Sequence, residues 1–108
     1  MLIATTNDVP GYEITEVLGE VFGLTVRSRN AISQLGSGLR SIFGGELKGM
    51  TQALIDSRNQ VIERMVAEAQ AQGADAILAM RFDTSEIGRT WTEICAYGTA
   101  VKLSGKSR

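Results

Sequence analysis

The sequence predicts a small α+β domain, and three observations carry that expectation. Two long runs are rich in β-branched and apolar residues at strand-like spacing, one long stretch repeats apolar residues at helical spacing, and glycine- and asparagine-rich breaks separate them. The chain has 108 residues, enough for one domain spanning 1–108 and too few for two. Hydrophobic residues make up 44% and charged residues 21%, a composition that can bury a core.

Leu2 to Thr5 reads as a short first strand, closed by a turn cluster of Asn7, Asp8, Pro10 and Gly11. From Tyr12 to Arg27 the residues alternate. Ile14, Glu16, Leu18, Glu20, Phe22, Leu24 and Val26 point one way, and Thr15, Val17, Gly19, Val21, Gly23 and Thr25 the other. Fully extended, that run would span roughly 50 Å, against a radius of gyration of about 13 Å for a compact domain of this size. The strand is therefore expected to bend at Gly19 or Gly23, to project to a neighbouring chain, or both.

Asn30 then caps a short helix with Ile32, Leu35, Leu39, Ile42 and Phe43 at helical spacing, weakened by Gly36 and Gly38 and ending at Gly44-Gly45. A longer helix is predicted from Leu47 or Met50 to Gln72. Its stripe is Met50, Leu54, Val61, Met65 and Ala69, widened by Ile55, Ile62 and Val66, with Gly73 just past the end. Ala76 to Asp83 is apolar on both faces and reads as a buried strand. Thr84 to Thr90 is expected as a loop, Trp91 to Leu103 as the last strand, and 104–108 as a frayed tail.

The last strand offers a small-residue face (Ile94, Ala96, Gly98, Ala100) and a bulkier one (Trp91, Cys95, Tyr97, Thr99, Val101) whose only charge is Glu93. A strand apolar on both faces must be covered on both. Two helices can cover one side of a small sheet. The chain has no residues left to cover the other, so a homo-oligomer is expected.

Composition excludes several chemistries. Eleven basic residues face twelve acidic ones, which gives no electrostatic case for nucleic acid or an anionic membrane. There is no histidine, so His-based triads and His metal ligands are out. One cysteine allows neither an intrachain disulfide nor a CxxC site. The amino terminus lacks the charge and apolar length of a signal peptide, and no stretch approaches a membrane span. A cytoplasmic chain is expected, with Cys95 reduced.

Gly44-Gly45-Glu46, Leu54, Arg58, Gly73-Ala74-Asp75-Ala76 and Gly98-Thr99-Ala100-Val101 occur in an order and spacing that resemble the YbjQ-like family of small bacterial proteins, over residues 2 to 103. That family is uncharacterised in function and carries the label "putative heavy-metal-binding". The resemblance implies a dodecin-like two-layer α/β subunit, an antiparallel sheet with two helices on one face, assembled into a ring-shaped homopentamer.

The residues limit what such a site can be. A soft-metal centre wants three or four thiolate or imidazole ligands, so within one chain no such site can be closed. Cys95 could repeat around a symmetry axis as an intersubunit ligand, but free cysteine is more often a small buried hydrophobe, and that is the expectation here. Glu16 and Glu20 lie about 13 Å apart along a strand, so they and Glu13 are expected on a solvated or interface edge. Gly36, Gly38, Gly44 and Gly45 invite a phosphate-loop reading, yet no complete phosphate-binding motif surrounds them, and turns explain them better. Arg58 is expected to pair with Asp75 or Glu46, to reach a subunit boundary, or to bind an anionic ligand. Trp91 and Tyr97 share a strand face and either pack at an interface or stack a planar ligand, as a dodecin-like assembly stacks flavin.

No catalytic residue is assigned, and no cofactor is specified. The expected function is that of a non-enzymatic homo-oligomer holding a small ligand or metal ion where subunits meet. The alternative is an enzyme with a composite site between subunits that uses Arg58, acidic residues and Cys95.

Overall fold

The computed structural model describes residues 1–28, 48–88 and 91–105. They form a four-stranded mixed sheet with one helix on one of its faces. The elements are β1 (Leu2–Ile3), β2 (Tyr12–Ser28), α1 (Lys48–Ala71), β3 (Ala76–Ile87) and β4 (Trp91–Gly105). The sheet order is β1-β3-β4-β2. β4 pairs antiparallel with both β2 and β3, while β1 runs parallel to β3. The expectation of an all-antiparallel sheet is corrected by that β1 pairing. The described residues contain one helix where two were expected, and the predicted helix of residues 31–43 lies outside them, as do Gly44, Gly45 and Glu46.

β2 keeps its predicted span but not a single alternation. Its register against β4 shifts between Ile14 and Glu16 and again between Val17 and Gly19, and Gly19 has φ +120°. An extra residue in one strand flips every later side chain to the other face. Leu18 therefore packs against the same core as Val21, three residues on, while Val17 is 64% exposed. The bend expected at Gly19 is this bulge. The β2–β4 ribbon still runs the length of the molecule, whose longest dimension is 54 Å.

Gly23 has a different role. A Cβ there would stand 2.6 Å from the Met65 amide nitrogen and 2.9 Å from the Val61 carbonyl carbon. Strand and helix meet backbone to backbone at this point, which only glycine permits.

α1 buries Ala53, Ser57, Val61, Met65 and Ala69, a row spaced four residues apart. Leu54 and Ile55, expected in the buried stripe, are instead exposed; the side chain of Met50 lies outside the description. The helix ends as predicted. Gly73 sits at φ +79°, its amide donates to the Gln70 carbonyl at 3.0 Å, and the Ala74 amide donates to the Ala69 carbonyl at 3.1 Å. That pair of bonds is a Schellman closure.

Against α1 lie Val21, Ile77, Met80, Ile94, Ala96 and Ala100, which complete the main core. β3 runs to Ile87, past the expected loop start at Thr84, and β4 takes in Ser104 and Gly105 from the expected tail. A register shift between Leu78 and Arg81 bulges β3 toward β4, with Ala79 at φ 53°. The bulge is held from the side: the Ala79 amide donates to the Thr6 carbonyl at 2.8 Å and the Met80 amide to the Ala4 carbonyl at 3.0 Å. Gly98 faces it, and a Cβ there would lie 2.6 Å from Ile77 Cγ2 and 2.9 Å from the Leu78 carbonyl oxygen. The small face of β4 thus meets helix and strand backbone, as its composition requires.

Candidate functional site on the outer sheet face

The face of the sheet turned away from α1 has two halves. Near β1, Ala76, Leu78 and Val101 form a second small core, covered by Ala4, Val9 and Leu103. The other half has no such cover among the described residues. Cross-strand register places Phe22 opposite Tyr97 and Arg81, Leu24 opposite Cys95 and Asp83, Val26 opposite Glu93 and Ser85, and Trp91 opposite Ser28 and Ile87. Paired residues share a face, so these side chains form one patch. Phe22, Val26, Ile87 and Trp91 are each 47–48% exposed.

Cys95 sits at the centre of this patch, half-buried, with its thiol 3.7 Å from the Ala96 carbonyl oxygen. Burial pushes its pKa up, and the carboxylates of Glu93, Asp83 and Glu20 push it further in the same direction. A thiolate would have to form against all of these. Among the described residues there is no group of three or more Cys, Asp or Glu side chains able to hold a metal ion. The donor set of one chain, a single thiol kept protonated by its own neighbours, does not fit a soft metal.

Trp91 and Tyr97 do share this face, but six strand residues separate them by about 20 Å, so they cannot sandwich one small planar ligand. Tyr97 instead pairs across the strands with Phe22, an aromatic pair the sequence reading missed. It follows from the register between β2 and β4, which the bulges in β2 hide from a simple count. Glu13, Glu16 and Glu20 lie exposed along β2, with Glu16 opposite Lys102.

Arg58 is on the other face. Its guanidinium lies over the Phe82 ring, 4.2 Å from the centroid. The expected pairing with Asp75 is corrected: Asp75 Oδ2 accepts the Leu103 amide at 2.8 Å and so ties the start of β3 to the end of β4. Gly44, Gly45 and Glu46 lie outside the described residues, so their roles stay as expectations from the sequence.

The free edge of β2 is partly closed by α1. Glu68 Oε1 accepts the Phe22 amide at 2.9 Å, and Arg64 donates to the Leu24 carbonyl at 2.6 Å. Side chains that occupy edge groups stop a foreign strand from pairing there. Association through this region must therefore use the face of the sheet rather than the edge at Phe22 and Leu24.

Comparison with known proteins agrees with this frame. The chain is 72% identical over 104 residues to a UPF0145 protein of Acidothermus cellulolyticus, covering 96% of each chain. It is 60% identical over 104 residues to a UPF0145 protein of Streptomyces griseus, covering 96% of this chain and 86% of that one. A UPF0145 protein of Enterococcus faecalis is 52% identical over 102 residues, with 94% and 98% covered. In fold, the chain is similar to a crystal structure from Pediococcus pentosaceus described as a protein of unknown function in the DUF74 family. The TM-score is 0.59 at 16% identity, with 96% of this chain and 98% of that chain covered. The family model described as "putative heavy-metal-binding" matches residues 1–104. The chain belongs to this family, the YbjQ family, whose members include the UPF0145 proteins.

Proposed function

We propose that the chain works as a cytoplasmic binding protein assembled from copies of itself, a dodecin-like ring of five, which holds a small ligand or metal ion where copies meet. The observation that carries this reading is the uncovered half of the outer sheet face. It presents Phe22, Val26, Trp91 and Ile87 about half exposed, interspersed with Glu20, Asp83, Glu93 and Arg81. Exposed aromatic anchors are enriched at protein interfaces, and an apolar patch of this kind is costly to leave in water. The number five rests on the family resemblance.

The family's metal description reaches this chain only through the assembly. Several copies would have to bring their Cys95 thiols to one axis, and each would have to give up a proton against Glu93, Asp83 and Glu20. A small organic ligand at the interface makes no such demand. Native mass spectrometry of protein purified from its own host tests both parts at once. The expected spectrum shows an oligomer that retains a small organic molecule. A retained zinc or copper ion lost in Cys95→Ala would transfer the ligand role to the metal, and single chains with nothing bound would contradict the proposal.

A further inference from the structure

Among the described residues, the helix-bearing face of the sheet is not filled to its end. Beyond the stripe of buried α1 residues, Leu54 and Ile55 stand 43% and 44% exposed. With Thr51, Arg58, Thr84 and Ile94 they line an open groove of about 420 Å³ between the first half of α1 and the β3–β4 hairpin. That volume falls within the range of small-molecule sites. Leu54, Ile55 and Ile94 give it apolar walls.

Among the described residues that line it, Arg58 supplies the one charge. Its guanidinium carbon lies over the Phe82 ring, 4.2 Å from the centroid, and a guanidinium held on a ring face can still offer N–H donors to an acceptor. The partner the described residues give this cation is the aromatic ring, not a carboxylate. Among the described residues the groove thus combines apolar walls with the N–H donors of Arg58, and an anion with an apolar body is its complement.

We propose that this groove binds a small amphipathic carboxylate, with its apolar body against Leu54, Ile55 and Ile94 and its carboxylate on the Arg58 fork. A phosphate is a poorer match. It is more heavily hydrated and calls for several donors, whereas a monoanion needs one fork. The site is on the opposite face from Cys95.

Octanoate is the probe, titrated into the full chain by calorimetry, with octanol as its uncharged counterpart. Octanoate is expected to saturate at one per chain, with octanol at least tenfold weaker. Arg58→Met should weaken octanoate tenfold or more, and Arg58→Lys, which keeps the charge but not the fork, should fall between. Arg58 is exposed, so both variants should fold; should either fail, octanoate against octanol on the unaltered chain still decides. Equal binding of the two, or no saturable binding of octanoate, would overturn the proposal. So would a change in assembly mass caused by Ile55→Asp, because a second copy would then be the groove's occupant.

Discussion

The two faces of the sheet are built on opposite rules. On the inner face small residues stand where helix and strand backbones meet, among larger buried ones such as Val21, Val61, Met65 and Ile77. Gly23, Ala96, Gly98 and Ala100 on the strands, with Ala53, Ser57 and Ala69 on α1, let backbones approach closely. The uncovered half of the outer face carries the large side chains, with Phe22, Tyr97 and Trp91 among carboxylates and Arg81. A face covered by its own helix needs small residues to admit that helix. A face that meets another molecule needs projecting anchors and a charged rim. On the proposed reading, the outer half is the face that meets another copy.

The inner rule breaks most sharply at Gly23. Its added Cβ would press on the backbone of Val61 and Met65, which cannot swing aside as a side chain can. Gly23→Ala is expected to cost about 3 kcal/mol, the upper end of overpacking, read as a fall in the denaturant midpoint. A change below about 0.5 kcal/mol, the size of an ordinary surface substitution, would show that strand and helix are not in backbone contact. Next in size is Gly98→Val, which drives two methyl groups into Ile77 and the Leu78 carbonyl. A loss of about 1–3 kcal/mol is expected there, against near silence for Ser104→Val on the same strand, where the residue is exposed. Equal effects at the two positions would contradict the face assignment.

The outer rule is sharpened by Cys95. Its raised pKa means that the folded state prefers the neutral thiol. Stability is therefore lost as pH climbs from the ordinary thiol value toward the higher folded value. Alkylation by iodoacetamide at pH 8 should be slower than for an unperturbed thiol and should rise only at higher pH. Asp83→Asn, which removes one of the three carboxylate contributions, should speed it at pH 8. No change in that variant would mean that Asp83 does not act on the thiol, leaving burial, Glu93 and Glu20. Cys95→Ala should leave both fold and assembly mass intact.

Much of this was legible in the sequence. The long helix, its Gly73 terminus, the three longer strands and the small face of β4 all follow from spacing and glycine placement. The misses share a physical cause. Alternation cannot reveal a bulge, so the face assignments in β2 before and after Gly19 could not both be right. The helix stripe was drawn through large residues, which put Leu54 and Ile55 inside. The buried row instead runs Ala53, Ser57, Val61, Met65 and Ala69, with the Val61 and Met65 backbone set against Gly23. Arg58 on Phe82 and Asp75 on the Leu103 amide are tertiary pairings with no local signature. The bulky, apolar composition of the outer face was readable from β4 alone. The Phe22–Tyr97 pair within it was not, because it depends on which residue of β2 faces which residue of β4.

The central claim is that the uncovered half of the outer face is an interface between copies of this chain. Light scattering on the chromatographic peak, for the unaltered chain and for Tyr97→Asp, tests it most directly. The account predicts that the unaltered chain elutes as a single species at a multiple of its 11.6 kDa mass. Tyr97→Asp should bring the mass down toward one chain while far-ultraviolet circular dichroism keeps its shape. A folded, monodisperse single chain at micromolar concentration, or an oligomer indifferent to Tyr97→Asp, would contradict it.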